Sequence, residues 1–264
     1  MSTFFEKINQ RQQEIESLLC VGLDPDPERI PAEFLSQDFP IFAFNKKIID
    51  ATKAYACCYK PQFAHFAAAG AEAELAWTID YIQALGIPVI LDAKRGDVGS
   101  TADFYAREAF DRYHADAVTV NPYMGSDSLK PFLERTDKGI ILLCRTSNPG
   151  GADLQNSPLI SGEQVFERVA HLAANQWNSQ GNVGLVVGAT RPEELTRVRE
   201  MTGEMTLLLP GIGAQGGDIK ASLAAGRGGG LIVSASRSIL YPQAMDSGQA
   251  AKTTRDEINR HRHA

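Results

Sequence analysis

Asp92, Lys94 and Asp97 lie in ILDAKRGDVGST, residues 90–101, a stretch that begins like a buried strand and then turns ionic. Alternation along a strand puts Ile90, Asp92 and Lys94 on one face and Val89, Leu91 and Ala93 on the other. Residues two apart on a strand are roughly 6–7 Å apart at the backbone, close enough for a carboxylate and an ammonium to stabilise one another's charged forms. Lys60, near the end of the apolar run YACCYKP, can join them if its strand is the neighbour. A structural ion-pair network is the competing explanation. Several ions in a partly dehydrated site lose solvation that pairing only partly recovers, so such an arrangement generally persists because a ligand or a reaction uses it.

A second constellation lies near the end of the chain, in LPGIGAQGGD (residues 209–218) and SASRSI (residues 234–239). Glycines at 211, 213, 216 and 217 let backbone amides approach an anion, Gln215 offers a side-chain amide, and Arg237 offers a planar fork suited to two phosphate oxygens. Glycines also serve tight turns, so it is the addition of Arg237 that favours a phosphate.

These residues need elements to hold them. Eight short apolar runs recur: residues 18–24, 55–61, 88–94, 117–122, 139–146, 183–188, 206–212 and 230–236. Amphipathic segments separate them, among them AEAELAWTIDYIQAL, TADFYAREAFDRY, EQVFERVAHLAANQW and PEELTRVREM. Strand alternating with helix, with near-continuously apolar strands, implies parallel pairing buried on both faces; eight units close a (β/α)8 barrel, with an open doubly wound sheet as the alternative. Active sites of this barrel sit where strands end. Polar residues collect there: Asp24, Lys60, Asp92 with Lys94, Asn121, residues 145–148, residues 188–191, Gln215 and Arg237.

The chain of 264 residues, 44% hydrophobic and 22% charged, is expected to form one barrel domain over residues 1–264. A net charge of -6 offers no broad basic surface for nucleic acid but permits a local cationic pocket for one phosphate. No signal peptide and no apolar run of the ~20 residues a membrane span requires is evident, so a cytoplasmic protein without membrane partners is expected. Cys20, Cys57, Cys58 and Cys144 lie inside apolar runs without zinc-like spacing and are expected to be buried and reduced. Thr190 and Glu193 have the spacing of a capping box with Pro192 in the first turn. His65 and His114 read as structural, the HRH tail at 261–263 as solvated, and Arg95 as a surface or interface salt bridge.

The residues resemble a known family. Asp92, Lys94 and Asp97 form D-x-K-x-x-D at the end of a third barrel strand, as in orotidine 5'-phosphate decarboxylases. Asp24 in VGLDPD, Lys60 in CYKPQF, Ser147 in RTSNPG, the GIGAQGGD loop and Arg237 in ASRSI follow in that family's order. FNKKIID, LDAKRGDVGSTA, TVNPYMG and RTSNPG look most like its longer bacterial (type 2) branch. The resemblance implies cofactor-free, metal-independent decarboxylation of orotidine 5'-monophosphate to UMP in de novo pyrimidine synthesis. It implies that Lys94 protonates C6 of the pyrimidine, with Asp92, Lys60 and Asp97 completing an alternating charge array. It also implies a homodimer in which Asp97 and Thr101 reach the neighbouring site to contact the ribose. Asp24 would bind the ribose, Ser147 would lie near the pyrimidine, and Gln215 with Arg237 would hold the 5'-phosphate. Closure of residues 145–156 and 215–218 over the pyrimidine is expected from their glycines. Ser236 stands where shorter members often have glycine. The alternatives are a Mg2+-dependent sugar-phosphate lyase of the same superfamily, such as a keto-gulonate-phosphate decarboxylase, and a catalytically silent nucleotide-binding barrel.

Overall fold

The apolar runs form eight parallel strands: β1 (Leu19–Leu23), β2 (Cys58–Pro61), β3 (Ile90–Arg95), β4 (Ala117–Val120), β5 (Gly139–Arg145), β6 (Val183–Val187), β7 (Leu207–Pro210) and β8 (Leu231–Ala235). The structure is a computed structural model and describes residues 2–211 and 218–262. Hydrogen-bonded neighbours run β2-β1-β8-β7-β6-β5-β4-β3, and isolated parallel bridges Tyr59–Val89 and Gln62–Asp92 bring the two ends together. The fold is therefore a nearly closed, single-domain (β/α)8 barrel, not an open sheet. Helices Pro40–Thr52, Glu72–Ala84, Gly99–Arg107, Ser126–Leu133, Val165–Leu172, Pro192–Thr202, Ile219–Ala225 and Ser247–Arg262 follow β1 to β8 in turn.

Strand alternation separates two apolar clusters. Cys20, Cys58, Ile90, Ala117, Ile141, Val186, Leu208 and Ile232, one from each strand, meet in the interior cluster. The intervening residues, such as Val21, Tyr59, Leu91 and Val118, pack in a second cluster with helix residues. Helix Phe4–Glu14 adds Phe4 and Ile8 to the interior set. Its start is capped reciprocally: Thr3 N–H donates to Glu6 Oε2 at 2.8 Å and Glu6 N–H to Thr3 Oγ1 at 3.3 Å. All four cysteines are buried and free.

The capping box expected from Thr190 and Glu193 does not form. Arg191 occupies the N-cap with no side-chain cap, and Pro192 is the first helical residue. Position N3 thus falls to Glu194, whose carboxylate is drawn away by Arg145 and Asn156.

Near the C-terminus of that helix, Arg199 is 6% exposed and donates to the carbonyls of Gly203, Met205, Gly226 and Gly230. One guanidinium thus joins the connections into β7 and β8. Arg199→Met should lower unfolding free energy by about 2–4 kcal/mol, because buried carbonyls lose charged donors. Urea denaturation at neutral pH checks it; a change below about 0.5 kcal/mol, the usual range of an uninvolved surface site, contradicts it.

Candidate active site

Two residues beyond the apolar interior layer, the same strand faces carry Lys60, Asp92 and Thr119 in place of Cys58, Ile90 and Ala117. Register and pleat alone therefore stack a polar layer on the apolar one. The carboxylate of Asp92 is the hub. Its Oδ2 accepts from Lys60 Nζ at 2.7 Å and Gln62 Nε2 at 3.2 Å, and its Oδ1 from Lys94 Nζ at 2.6 Å and Thr119 Oγ1 at 2.9 Å. The side chains of Lys60 and Asp92 are 9% and 8% exposed, whereas that of Lys94 is 44% exposed. Lys94 is thus the ammonium available to a ligand, and the buried pair behind it sets the field.

The charge states follow from this geometry. Burial opposes the ionised form of Asp92, but Lys60 and Lys94 outweigh it and hold the carboxyl well below the usual carboxylate range. Burial likewise opposes the charge on Lys60, yet Asp92 and then Asp24 push its pKa upward. Asp24 lies just past β1 and turns a buried oxygen, Oδ1, that has no hydrogen-bond partner among the described residues. A buried carboxylate oxygen left open in this way is an acceptor awaiting a donor.

A break in the ladder brings Lys94 onto Asp92. The β3–β4 pairing matches Leu91 to Val118 but Arg95 to Val120, so β3 carries extra residues there. Lys94 takes φ +46°, a left-handed conformation that is costly for a residue with a side chain. Its amide donates to Thr119 Oγ1 at 2.9 Å. Beyond the bulge, Gly96 runs close to the end of β4: a Cβ there would lie 3.1 Å from the Asn121 carbonyl oxygen, tighter than ordinary contact. Gly99 serves conformation instead, at φ +54°.

Asp97 and Thr101 do not join this cluster within the chain. Asp97 Oδ1 accepts from the Val98 amide at 2.8 Å, and its carbonyl accepts from Ser128 Oγ. Thr101 is exposed in the first turn of Gly99–Arg107. Arg95 forms a half-buried salt bridge within the chain rather than an exposed surface one. Its Nε and Nη2 donate to Glu108 at 2.7 and 3.0 Å, between the rings of Phe63 and Tyr105 at 4.2 and 4.7 Å. His65 is structural as expected, with Nδ1 2.9 Å from the Pro25 carbonyl oxygen.

Ser147 follows β5, and a Cβ on Gly188 would lie 2.8 Å from its Cα. The segment after it is well anchored. Arg145, 3% exposed, lies 2.7 Å from Glu194 in an ion pair too oblique for a hydrogen bond. It also donates to the Thr146 carbonyl at 2.7 Å and to Gln155 Oε1 at 3.1 Å, and Gln155 Oε1 accepts the Thr146 amide at 2.9 Å. Gly151 lets this network close, since a Cβ would lie 2.8 Å from Arg145 Nη1. Its glycine serves close packing, a role that the expectation of a closing loop did not consider. Arg237 is exposed at the start of the short helix after β8, and Ser236 packs on Gly22, whose Cβ would lie 2.8 Å from Ser236 Cβ. Gln215 lies outside the described residues; Asp218 caps Ile219–Ala225 through the Ala221 amide at 3.0 Å.

Gln62 and Thr119 were missed by the sequence reading. Thr119 carried a readable signal, an inward polar residue two places after Ala117, but a lone threonine in AVTVNP passes for an ordinary strand former. For Gln62, what mattered was β2 lying against β3, which local pattern does not reveal.

Residues 17–254 match the family model described as orotidine 5'-phosphate decarboxylase / HUMPS. The chain is 59% identical over 256 residues to the orotidine 5'-phosphate decarboxylase of Aromatoleum aromaticum, a match covering 93% of this chain and 94% of that protein. The OMP decarboxylase of Leishmania donovani superposes at TM-score 0.87 with 44% identity over 99% of both chains. The UMP synthase of that organism superposes at TM-score 0.90 with 46% identity, covering all of this chain but 57% of that longer one.

Proposed function

Since the chain belongs to the orotidine 5'-phosphate decarboxylase / HUMPS family, we propose that it is a carboxy-lyase converting orotidine 5'-monophosphate to UMP and CO2 without cofactor or metal. The observation that carries the mechanism is the Lys60–Asp92–Lys94 array, in which Lys94 alone is open to a ligand. Cleavage of the C6–carboxylate bond leaves its electron pair on C6. The Lys94 ammonium stabilises that charge and transfers a proton to it, and solvent returns the proton to Lys94. Asp92 keeps Lys94 aimed through its 2.6 Å contact, and Lys60 with Lys94 keeps Asp92 ionised.

In the same reading, the open oxygen of Asp24 accepts a ribose hydroxyl, Ser147 borders the pyrimidine, and Gln215 with Arg237 binds the 5'-phosphate. Thr101 is exposed and Asp97 half-buried, and both act in the site of a second copy. Their surroundings support a homodimer: Val98, Phe104 and Tyr123 are 53%, 64% and 76% exposed, an apolar surface that a partner would cover. Four free, buried thiols suit a reducing cytoplasm.

The test is UMP formation from orotidine 5'-monophosphate with excess chelator present, run beside orotidine lacking the phosphate. The expected result is full turnover of the nucleotide with chelator and at least about 10³-fold lower kcat/KM for the nucleoside, because remote phosphate contacts supply transition-state binding energy. Activity abolished by the chelator would favour the Mg2+-dependent lyase, and equal turnover of both substrates would remove the phosphate site.

A further inference from the structure

We infer that Thr119 is a positioning residue for this reaction, one hydroxyl holding both the backbone at Lys94 and the carboxylate of Asp92; the inference rests on the decarboxylase reading above. Thr119 is 1% exposed, so its hydroxyl must find its partners within the protein. It lies 2.9 Å from Asp92 Oδ1 and 2.9 Å from the Lys94 amide nitrogen. A hydroxyl has one proton and two lone pairs, and an amide can only donate. The proton therefore goes to Asp92 and a lone pair takes the amide, so both bonds have a fixed sense.

That amide has a particular need. The pairing of β3 with β4 slips between Leu91 and Arg95, and Lys94 lies inside the slip at φ +46°. Thr119 stands in for the missing strand acceptor and stabilises the left-handed conformation. In a regular strand, residues 92 and 94 would be roughly 6–7 Å apart at the backbone with parallel side chains. In the bulged turn Nζ of Lys94 meets Oδ1 of Asp92 at 2.6 Å. The same oxygen receives Thr119, so the hydroxyl fixes the acceptor and the chain that carries its donor together. Thr119 reaches the reacting carbon only through Lys94.

Thr119→Val keeps the shape and removes both bonds. Measured on orotidine 5'-monophosphate, kcat should fall about tenfold to a hundredfold, the range for hydrogen bonds to charged groups, while KM changes less than about twofold. Thr119→Ser, which restores the hydroxyl, should recover most of the loss. A crystal structure of Thr119→Val should show Lys94 out of the left-handed region, or its ammonium withdrawn from Asp92. The inference is overturned if kcat of Thr119→Val stays within about twofold of the parent, since a lost charged hydrogen bond costs more. It is equally overturned if Thr119→Ser is as impaired as Thr119→Val, or if the variant crystal keeps both the Lys94 conformation and its contact. If Thr119→Val does not fold, Thr119→Ala against Thr119→Ser gives the same comparison. A parent chain that releases no CO2 defeats the decarboxylase reading, and the crystal comparison still decides whether Thr119 positions Lys94.

Discussion

Lys94→Ala should lower kcat for orotidine 5'-monophosphate by at least about 10³-fold while UMP still binds, because general-acid transfer and charge stabilisation are each worth about 10²-fold or more. The expected split follows from geometry. Lys94 presents the exposed ammonium of the array, whereas the residues assigned to ribose and phosphate lie on other strands and loops. Its removal therefore takes away an interaction made with charge that develops in the transition state, and leaves ground-state binding largely intact. Calorimetric titration with UMP and a CO2-release assay on one preparation check both halves. Retained turnover would remove Lys94 from the chemistry, whereas a parent chain that binds UMP but releases no CO2 would make a catalytically silent binding barrel the better account.

The second large effect is expected at Asp92. Asp92→Asn preserves shape but leaves Lys60, with its side chain 9% exposed, without the bonded anion that does most to compensate its burial. Breaking one side of a buried ion pair costs about 3–5 kcal/mol, and the same substitution releases Lys94, so stability and kcat should fall together. Its pH dependence has a definite sign. The pKa of Asp92 is depressed on folding, so its contribution is complete above the ordinary carboxylate value near about pH 4 and is lost as the pH falls through the lower folded value. The pKa of Lys60 is raised, so its contribution is complete below the ordinary lysine value near about 10.4 and is lost as the pH rises through the higher folded value. The stability gap between parent and variant should be flat around neutral pH and narrow toward alkaline pH, because Lys60 buried without Asp92 gives up its proton more readily in the variant than in the parent. Below about pH 4 it should narrow by up to about 1.4 kcal/mol per pH unit of acidification. Urea titrations across that range measure it, and a gap under about 1 kcal/mol at pH 7 would show that the pair is not a stabilising hub.

The strands were legible because a parallel strand covered on both faces is apolar throughout: runs such as VGLVV and LLLP show this and are too short for helices. Alternation then placed Ile90 in the interior and Asp92 above it without any knowledge of the fold. Local reasoning failed where a long-range partner outbid a local one. The helix that Thr190 and Glu193 were to cap starts one residue later, with Arg191 at the N-cap and no acceptor side chain to offer, while Glu194 at N3 pairs with the distant Arg145. Arg95, turned from the catalytic face as alternation requires, is held by Glu108 and two rings contributed by different segments.

The sequence by itself determined the count and order of the strands, the face on which Asp92 lies, and the concentration of polar groups at the strand ends. Periodicity and burial are local properties that each segment carries. Only the tertiary structure decided that β2 lies against β3, so that Lys60 and Gln62 meet Asp92, and that β3 slips against β4, so that Lys94 adopts a left-handed turn over Thr119. The physical reason is that ladder register and ion pairing are settled between segments distant in sequence. Their energies depend on which groups are buried together, and no single segment specifies that.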